Sequence, residues 1–334
     1  MLVSGDAGLY SLLEMLKRKI GGEYLRVHPG VSALQLFAAR LGVSWQDAKI
    51  LSAHGRALSE SALCHAVRTH RQTFCFLDAA HNPAWVRESL NLGGLENVRL
   101  FVGERLSYPD ERIVTGTAAE LAQERFADLS VLLAEHDEPV LRPWNTPGLP
   151  DEAFLRGEVP MTKEEVRALA LCKLRLQPWH TVWDVGAGTG SVSVECALAC
   201  PEGRVYAIEK KEAALDLLSE NKARFGCANL ELVPGTAPEA LKDLPAPDRV
   251  FLGGTSGDME EILAVIFEKN PQARVVCTAV TLETVGEAAR LFAPLEGADM
   301  VQVAVTRTRR AGRYHLMDAQ NPVWMFSGEG KGDG

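Results

Sequence analysis

The sequence predicts an α/β protein of two domains, and three observations carry that expectation. At 334 residues the chain is longer than one domain usually is. Short apolar runs alternate with helical patterns over most of its length, the signature of layered α/β structure. Between two such stretches, residues 136–150 (HDEPVLRPWNTPGLP) break the alternation with four prolines and a glycine, which reads as a linker. The expected domains are therefore 1–135 and 151–327, with residues 328–334 as a disordered glycine-rich tail.

Composition narrows the class of protein. With 46% hydrophobic and 24% charged residues, each half can build an ordinary core. A formal charge of -9 without a concentration of Lys and Arg argues against nucleic acid and membrane surfaces as partners. The one basic run, Arg307-Thr308-Arg309-Arg310, also fits a solvated hairpin edge. No apolar run approaches a membrane span and the start carries no signal-peptide pattern, so a cytoplasmic protein is expected. The seven cysteines, Cys64, Cys75, Cys172, Cys196, Cys200, Cys227 and Cys277, never form CxxC; buried thiols, not a metal site, are expected of them.

In the first half, Leu2-Val3 reads as a strand end, Ser4–Gly8 as a tight loop, and Leu9 onward as a helix. Strands are expected at Tyr24–His28, Lys49–Ser52, Thr73–Leu77, Val98–Val102 and Leu129–Leu133. Helices fit Leu34–Leu41, with Ser32 able to cap it, then Leu58–Arg68, Ala84–Leu92 and Ala118–Ala127. His54, in Ser-Ala-His-Gly-Arg, is more readily structural than a general base.

In the second half, Thr162 is a plausible N-cap, with Glu165 completing a capping box, for a helix to about Leu174. Strands follow at Thr181–Val185, Arg204–Glu209, Leu230–Pro234, Arg249–Leu252, Arg274–Thr278, Met300–Thr306 and Val323–Phe326. Helices fall between the first five, and the last two strands follow each other without one. A parallel sheet closed by an antiparallel hairpin is the expected architecture.

The clearest chemistry lies in TVWDVGAGTGSVSVECAL. An apolar strand ends near Asp184, Gly186, Gly188 and Gly190 follow, and a helix starts near Ser191, so that a ligand can lie against backbone N–H groups. The next strand ends in Glu209, where a carboxylate can accept hydrogen bonds from ribose hydroxyls. Pro234-Gly235-Thr236-Ala237 is a small-residue turn suited to a flat adenine. Glu195 needs no ligand, since an acid near a helix N-terminus interacts favourably with the helix dipole. Asp184, Gly186–Gly190, Glu209 and Ala237 together match the S-adenosyl-L-methionine pattern of Rossmann-like methyltransferases.

On the substrate side, Gly253, Gly254 and Gly257 leave an open mouth after the fourth strand, suiting a bulky molecule. The segments GLPDEAFLRGEVPMTKEEVRALALCKLRL, DVGAGTGSVSVE, VYAIEK, GTAPEAL, FLGGTSGDMEEIL, AVTLET and NPVW resemble the decarboxylating methyltransferase domain of cobalamin biosynthesis, from about Gly148 to Ser327. That resemblance implies methylation of carbon 15 of a corrin precursor (precorrin-6B or cobalt-precorrin-6B) with loss of the ring-C acetate carboxyl. It also implies that Thr162, Gly186, Ala187, Gly188, Thr189, Gly190, Glu209 and Ala237 contact the cofactor. A polycarboxylate tetrapyrrole substrate asks for basic donors, and Arg307, Arg309, Arg310, Arg313 and His315 on the closing hairpin are candidates beside Gly253 and Gly254.

The turns SGDAGLYS, HPGVSALQ, SAHGR, LDAAHNPAWV and GERLSYPDERI of the first half resemble the tetrapyrrole methylase family, in its carbon-5-methylating subgroup. The whole chain is thus similar to the fused bifunctional precorrin C(5,15)-methyltransferase (decarboxylating) family. Gly5 and Asp6 would then belong to a second S-adenosylmethionine site, with Ala7 in place of the family's proline. The family carries an earlier strand and a Gly-x-Gly-Pro-Gly loop, so the first domain is expected to be N-terminally truncated. A homo-oligomer is implied by resemblance alone. The alternative is a Rossmann-like methyltransferase of another small molecule or a protein, with the first half as a binding or oligomerisation module.

Overall fold

The computed structural model describes residues 5–54, 58–128, 130–139, 146–254 and 257–331. The chain divides into two compact units, Met1–Pro143 and Trp144–Gly334.

The first unit contains α1 (Leu13–Ile20), α2 (Ala33–Leu41), β1 (Lys49–Ser52), α3 (Glu60–Thr69), β2 (Gln72–Phe76), α4 (Pro83–Leu92), β3 (Arg99–Glu104), β4 (Arg112–Thr117) and β5 (Ser130–Glu135). Its sheet runs β1-β2-β5-β3-β4, with β1 and β2 parallel and the remaining pairs antiparallel. Helix α2 opens as its sequence predicts: Ser32 Oγ accepts from the Gln35 N–H and the Gln35 side chain accepts from the Ser32 N–H. Its buried face, Leu34, Phe37 and Ala38, packs on the sheet, where Phe37 meets Phe74 edge to face at 6.3 Å.

Two expectations fail here. Tyr24–His28 forms no strand: Gly22–Tyr24 is a short 3-10 turn, and Tyr24 and Val27 face solvent with no strand paired to them among the described residues. Residues 118–127 form no α-helix beyond the 3-10 turn Glu120–Gln123. The chain there has just left β4, unforeseen in the sequence, which pairs antiparallel with β3 at the sheet edge. Glu120 and Thr117 bond reciprocally, so local capping ends β4 with a single tight turn. The opening Leu2-Val3 and the Gly55-Arg56 of the His54 loop lie outside the described residues.

The second unit contains α5 (Glu164–Leu174), β6 (Thr181–Val185), α6 (Ser191–Ala199), β7 (Arg204–Glu209), α7 (Glu212–Phe225), β8 (Leu230–Pro234), β9 (Arg249–Leu252), α8 (Met259–Lys269), β10 (Arg274–Ala279), α9 (Leu282–Phe292), β11 (Glu296–Val303), β12 (Thr306–Ala311), β13 (Tyr314–Ala319) and β14 (Val323–Glu329). Seven strands form one sheet in the order β11-β14-β10-β9-β6-β7-β8, in which β10, β9, β6, β7 and β8 are parallel. The inner parallel strands β10, β9, β6 and β7 are covered on both faces, and alternate residues feed two cores. Val182, Val205 and Ala207 point into one with α5 and α6, while Trp183, Val185 and Ile208 point into the other with α8. Only the 3-10 turn Glu239–Leu241, not a helix, joins β8 to β9.

The closing strands are more elaborate than a hairpin. β14 runs antiparallel to both β10 and β11 and lies between them. The segment joining β11 to β14 folds back as a separate exposed two-stranded sheet, β12–β13. β14 also continues past Phe326 into the expected tail: Gly328 pairs with Val275 and Glu329 with Arg274, whose guanidinium reaches the Glu329 carboxylate at 2.8 Å. Six of the seven cysteines are buried, and burial pushes the Cys75 and Cys277 thiols up to about 12; Cys172 is exposed. No helix among the described residues is long and apolar enough to cross a membrane.

Phe326 is 1% exposed and packs beside Phe292 at 5.9 Å. Phe326→Ala is expected to cost about 3–5 kcal/mol in urea denaturation followed at the second unit. Met317→Ser, at 86% exposure on β13, is expected to stay within about 0.5 kcal/mol.

Candidate active site

The site is built where β6 and β7 end side by side. After Val185 the chain turns through Gly186, Gly188 and Gly190, each at positive φ (76°, 56° and 76°), the region that only glycine adopts freely. Gly186 is also fixed by space: a Cβ there would stand 2.8 Å from the Gly254 nitrogen, because the loop after β9 lies directly on the turn. The N–H groups of Gly186 and Ala187 donate to the Ile208 carbonyl at 2.9 and 3.1 Å, stitching the turn to β7. α6 starts immediately beyond, at Ser191.

Glu209 closes this arrangement from the end of β7. Its Oε2 accepts the Gly188 N–H at 2.9 Å, and its Oε1 accepts the N–H groups of Lys210 and Lys211, both at 2.9 Å. A carboxylate offers about four acceptor positions, so capacity remains on Oε2. Beside it lies a cavity of about 430 Å³, lined by Gly186–Gly188, Glu209, Thr236, Ala237, Gly253, Gly254 and the segment Val159–Lys163, with Val280 and Val323 at its apolar side. That volume falls within the range of small-molecule sites.

Of the sequence-predicted residues, Thr162, Gly186, Ala187, Gly188, Glu209, Ala237, Gly253 and Gly254 meet at this one cavity. Asp184, Thr189 and Gly190 do not line it. Asp184 is 1% exposed beneath the turn, taking the Ser193 hydroxyl on Oδ2; Thr189 faces inward; Gly190 sits against Leu218, which a Cβ would meet at 2.7 Å. Asp184 belongs to β6 and lies under the turn, while Thr189 and Gly190 follow the last cavity-lining glycine, Gly188, into the buried start of α6.

The basic candidates also stand away from the cavity lining. Arg309, Arg310, Arg313 and His315 are exposed on β12–β13, where Arg313 donates to the Tyr314 hydroxyl at 2.7 Å. Arg307, at the base of that hairpin, is bound bidentately by Glu165 at 2.7 and 2.9 Å. Gly5 and Asp6 lie in the first unit, where the Asp6 carboxylate accepts the N–H groups of Gly8 at 2.8 Å and Gly30 at 3.2 Å.

Several residues that shape the site carry no motif. Arg167 on α5 is fully buried and donates to Glu195 Oε1 at 2.6 Å, to the Thr162 carbonyl at 2.5 Å, to Asp151 at 3.3 Å and to the Leu149 carbonyl. Glu195, expected to serve only the helix dipole, also accepts the N–H groups of Gly148 and Leu149 at 2.8 and 3.0 Å. The capping box at Thr162 does not form: the helix starts one residue later, after Lys163, and Asp151 accepts the Glu164 N–H at 3.0 Å in its place. Asn221 on α7, also fully buried, bonds both to Leu155 and to the Thr189 carbonyl at 2.9 Å. Lys163, a cation in the cavity lining, has no ion-pair partner among the described residues.

Comparison with known proteins adds to this geometry. A family described as "Precorrin methyltransferase domain" matches residues 152–329, and "Tetrapyrrole (Corrin/Porphyrin) Methylases" matches residues 1–122. A precorrin-6Y C(5,15)-methyltransferase (decarboxylating) from Sinorhizobium sp. is 30% identical over 336 residues, 98% of this chain and 79% of that protein. The chain belongs to the precorrin methyltransferase family. A probable cobalt-precorrin-6B C(15)-methyltransferase (decarboxylating) from Pyrobaculum calidifontis is 46% identical over 190 residues, 55% of this chain and 97% of that protein. The crystal structure named precorrin-6y C5,15-methyltransferase from Geobacter metallireducens superposes with a TM-score of 0.53 at 36% identity, covering 56% of this chain and all of that one.

Precorrin methyltransferases take their methyl group from S-adenosyl-L-methionine, and the cavity fits that cofactor. Glycines without Cβ face it, the Glu209 carboxylate can receive hydroxyl donors, and Val185, Ile208 and Ala237 offer apolar surface to a base.

Two outcomes follow for this turn. Gly186→Ala is expected to abolish binding of S-adenosylhomocysteine in calorimetry, since the methyl collides with backbone and not with a movable side chain. Burial pushes the Asp184 carboxyl from 3.8 up to about 7, partly opposed by the hydrogen bonds from Ser193. Between those values the folded chain holds a proton that the unfolded chain releases, so this group's contribution to stability falls as pH rises and levels off above 7. The stability of Asp184→Asn relative to the unsubstituted protein should therefore increase across that window in urea titrations, and no further beyond it.

Proposed function

We propose that the second unit transfers a methyl group to carbon 15 of precorrin-6B or cobalt-precorrin-6B and releases the ring-C acetate carboxyl as carbon dioxide. On the same reading the first unit belongs to carbon-5 methylation of the same class of substrate. The observation that carries the reading is the single cavity joining the glycine turn and Glu209 to the open Gly253-Gly254 mouth. Two relatives of this chain, one matching the second unit and one nearly the whole chain, are named for that substrate class and reaction.

Bound S-adenosylmethionine would supply an electrophilic methyl on a sulfonium. Thr162, Gly186–Gly188, Glu209 and Ala237 would hold it, with Glu209 receiving ribose hydroxyls while its three backbone N–H donors keep the carboxylate fixed. Gly253 and Gly254 leave room for a macrocycle at the mouth. Val159, Met161, Val280 and Val323 give the cavity apolar surface that excludes water from a carboxylate about to be lost. In the substrate, the electron pair of the breaking carbon–carboxyl bond passes through the conjugated ring to the meso carbon, which forms the new carbon–methyl bond. Positive charge on the sulfonium and negative charge on the carboxylate disappear together, so no proton donor is required for balance. Lys163, a cation of the cavity lining, would hold another of the substrate's carboxylates. A homo-oligomer belongs to this proposal by family resemblance.

The decisive experiment is turnover of the metal-free and cobalt-containing precursors, with mass spectrometry counting methyls gained and carbon dioxide lost. One methyl and one carbon dioxide per substrate are expected from the second unit. Glu209→Ala should lower both together by about a hundredfold or more, the scale of lost positioning. Methyl transfer without carbon dioxide release, or full activity in that variant, would overturn the assignment.

A further inference from the structure

Arg307 was expected among the substrate clamps, and its surroundings give it another task. The guanidinium donates from Nε and Nη2 to both oxygens of Glu165 at 2.9 and 2.7 Å, and from Nη2 to Asp151 Oδ2 at 3.3 Å, with a Glu164 oxygen at 4.0 Å. Glu165 is held below the ordinary carboxylate range chiefly by this hydrogen bond, and Arg307 is raised by the same pairing. A substrate carboxylate would have to displace a two-pronged contact already surrounded by acids.

The contact leads inward. Asp151 is 3% exposed; its other oxygen caps α5 at the Glu164 N–H and meets the buried Arg167. Arg167 in turn grips the Thr162 carbonyl at 2.5 Å and is anchored on α6 through Glu195 at 2.6 Å. Thr162 and its neighbours Val159–Lys163 form one side of the cavity. An unbroken chain of charged hydrogen bonds therefore runs from the base of the β12–β13 hairpin to the backbone that faces the cofactor space.

We propose that Arg307 is a positioning residue: through Asp151 and Arg167 it holds the Val159–Lys163 segment in place for S-adenosylmethionine, and it takes no part in binding the tetrapyrrole. The inference rests on the assignment of the cofactor to this cavity. Its consequence is that neutralising a hairpin residue outside the cavity weakens the cofactor and spares the substrate.

The test uses the full chain with Arg307→Met, Arg307→Lys and Glu165→Gln. S-adenosylhomocysteine affinity is measured by calorimetry, amide hydrogen exchange at Val159 and Met161–Lys163 in the ligand-free protein, and KM for the tetrapyrrole by turnover. Arg307→Met should weaken S-adenosylhomocysteine roughly threefold to tenfold, the range of a partly exposed ion pair within a network, and speed exchange in that segment. The tetrapyrrole KM should stay unchanged. Arg307→Lys should recover part of both losses, since one ammonium cannot reproduce the fork, and Glu165→Gln should follow Arg307→Met from the opposite side of the pair.

A raised tetrapyrrole KM with unchanged S-adenosylhomocysteine affinity would make Arg307 a substrate clamp and overturn the proposal. Unchanged exchange overturns it as well, as does equal loss of both ligands with general acceleration of exchange. Should Arg307→Met fail to fold, Glu165→Gln carries the same comparison. If the unsubstituted protein binds no S-adenosylhomocysteine, the cofactor assignment fails, and the exchange rates still decide whether Arg307 positions the segment.

Discussion

A guanidinium with no access to water must have its N–H groups and its charge answered by protein, and in the second unit that requirement falls on Arg167. Two carboxylates and two carbonyls converge on it, and the ring of Phe154 lies 4.7 Å from its centre. Those partners come from the segment ahead of α5 and from α6. The lead-in segment has little secondary structure of its own, so its path over the glycine turn is set by what it must offer to this buried charge. Removing one partner from such a cluster typically costs about 3–5 kcal/mol, because the others are left uncompensated. Asn221 repeats the device without charge, tying Leu155 and the Thr189 carbonyl to α7.

Sequence reasoning works best where the environment is simplest. β6, β7 and β9 fall on their expected residues because inner parallel strands, covered on both faces, read as short continuous apolar runs bounded by glycine or charge, and the edge strand β8 is legible through its apolar residues Leu230, Leu232 and Val233. The Gly186–Gly188 turn and Glu209 are legible for a related reason: β6 and β7, joined through α6, are parallel neighbours, so their carboxyl ends meet. Exposed strands are not legible in this way. β13 has all six residues exposed and carries no alternation to read, and β4 lies at a sheet edge with little burial. The meeting of Arg167, Glu195 and Asp151 is not legible for a different reason. Each resembles an ordinary surface charge, and their convergence depends on tertiary contacts that no local pattern records.

The first unit shows the same logic with less charge. Gly30 takes no side chain because a Cβ would approach the Gly5 carbonyl to 2.6 Å, and the Asp6 carboxylate reaches back to the Gly30 N–H. Two loops far apart in the chain thereby interlock by backbone contact, and Ser32, two residues on, starts α2 into the core beneath Phe74. The loop's composition is explained by this contact whatever chemistry it also serves.

The place of β14 in the sheet bears on how the molecule assembles. β11 touches the sheet only through β14, although β14 is made after β11 and after the whole β12–β13 excursion. Until Val323–Glu329 emerge, β10 has an unpaired edge and β11 has nowhere to dock. Nascent chain lacking Val323–Glu329 is thus left with an open, largely apolar strand border, the kind of surface on which a partly made chain associates with its own copies. The order of strands in space, set against their order of synthesis, makes the arrival of Val323–Glu329 the moment when this sheet ceases to be adhesive.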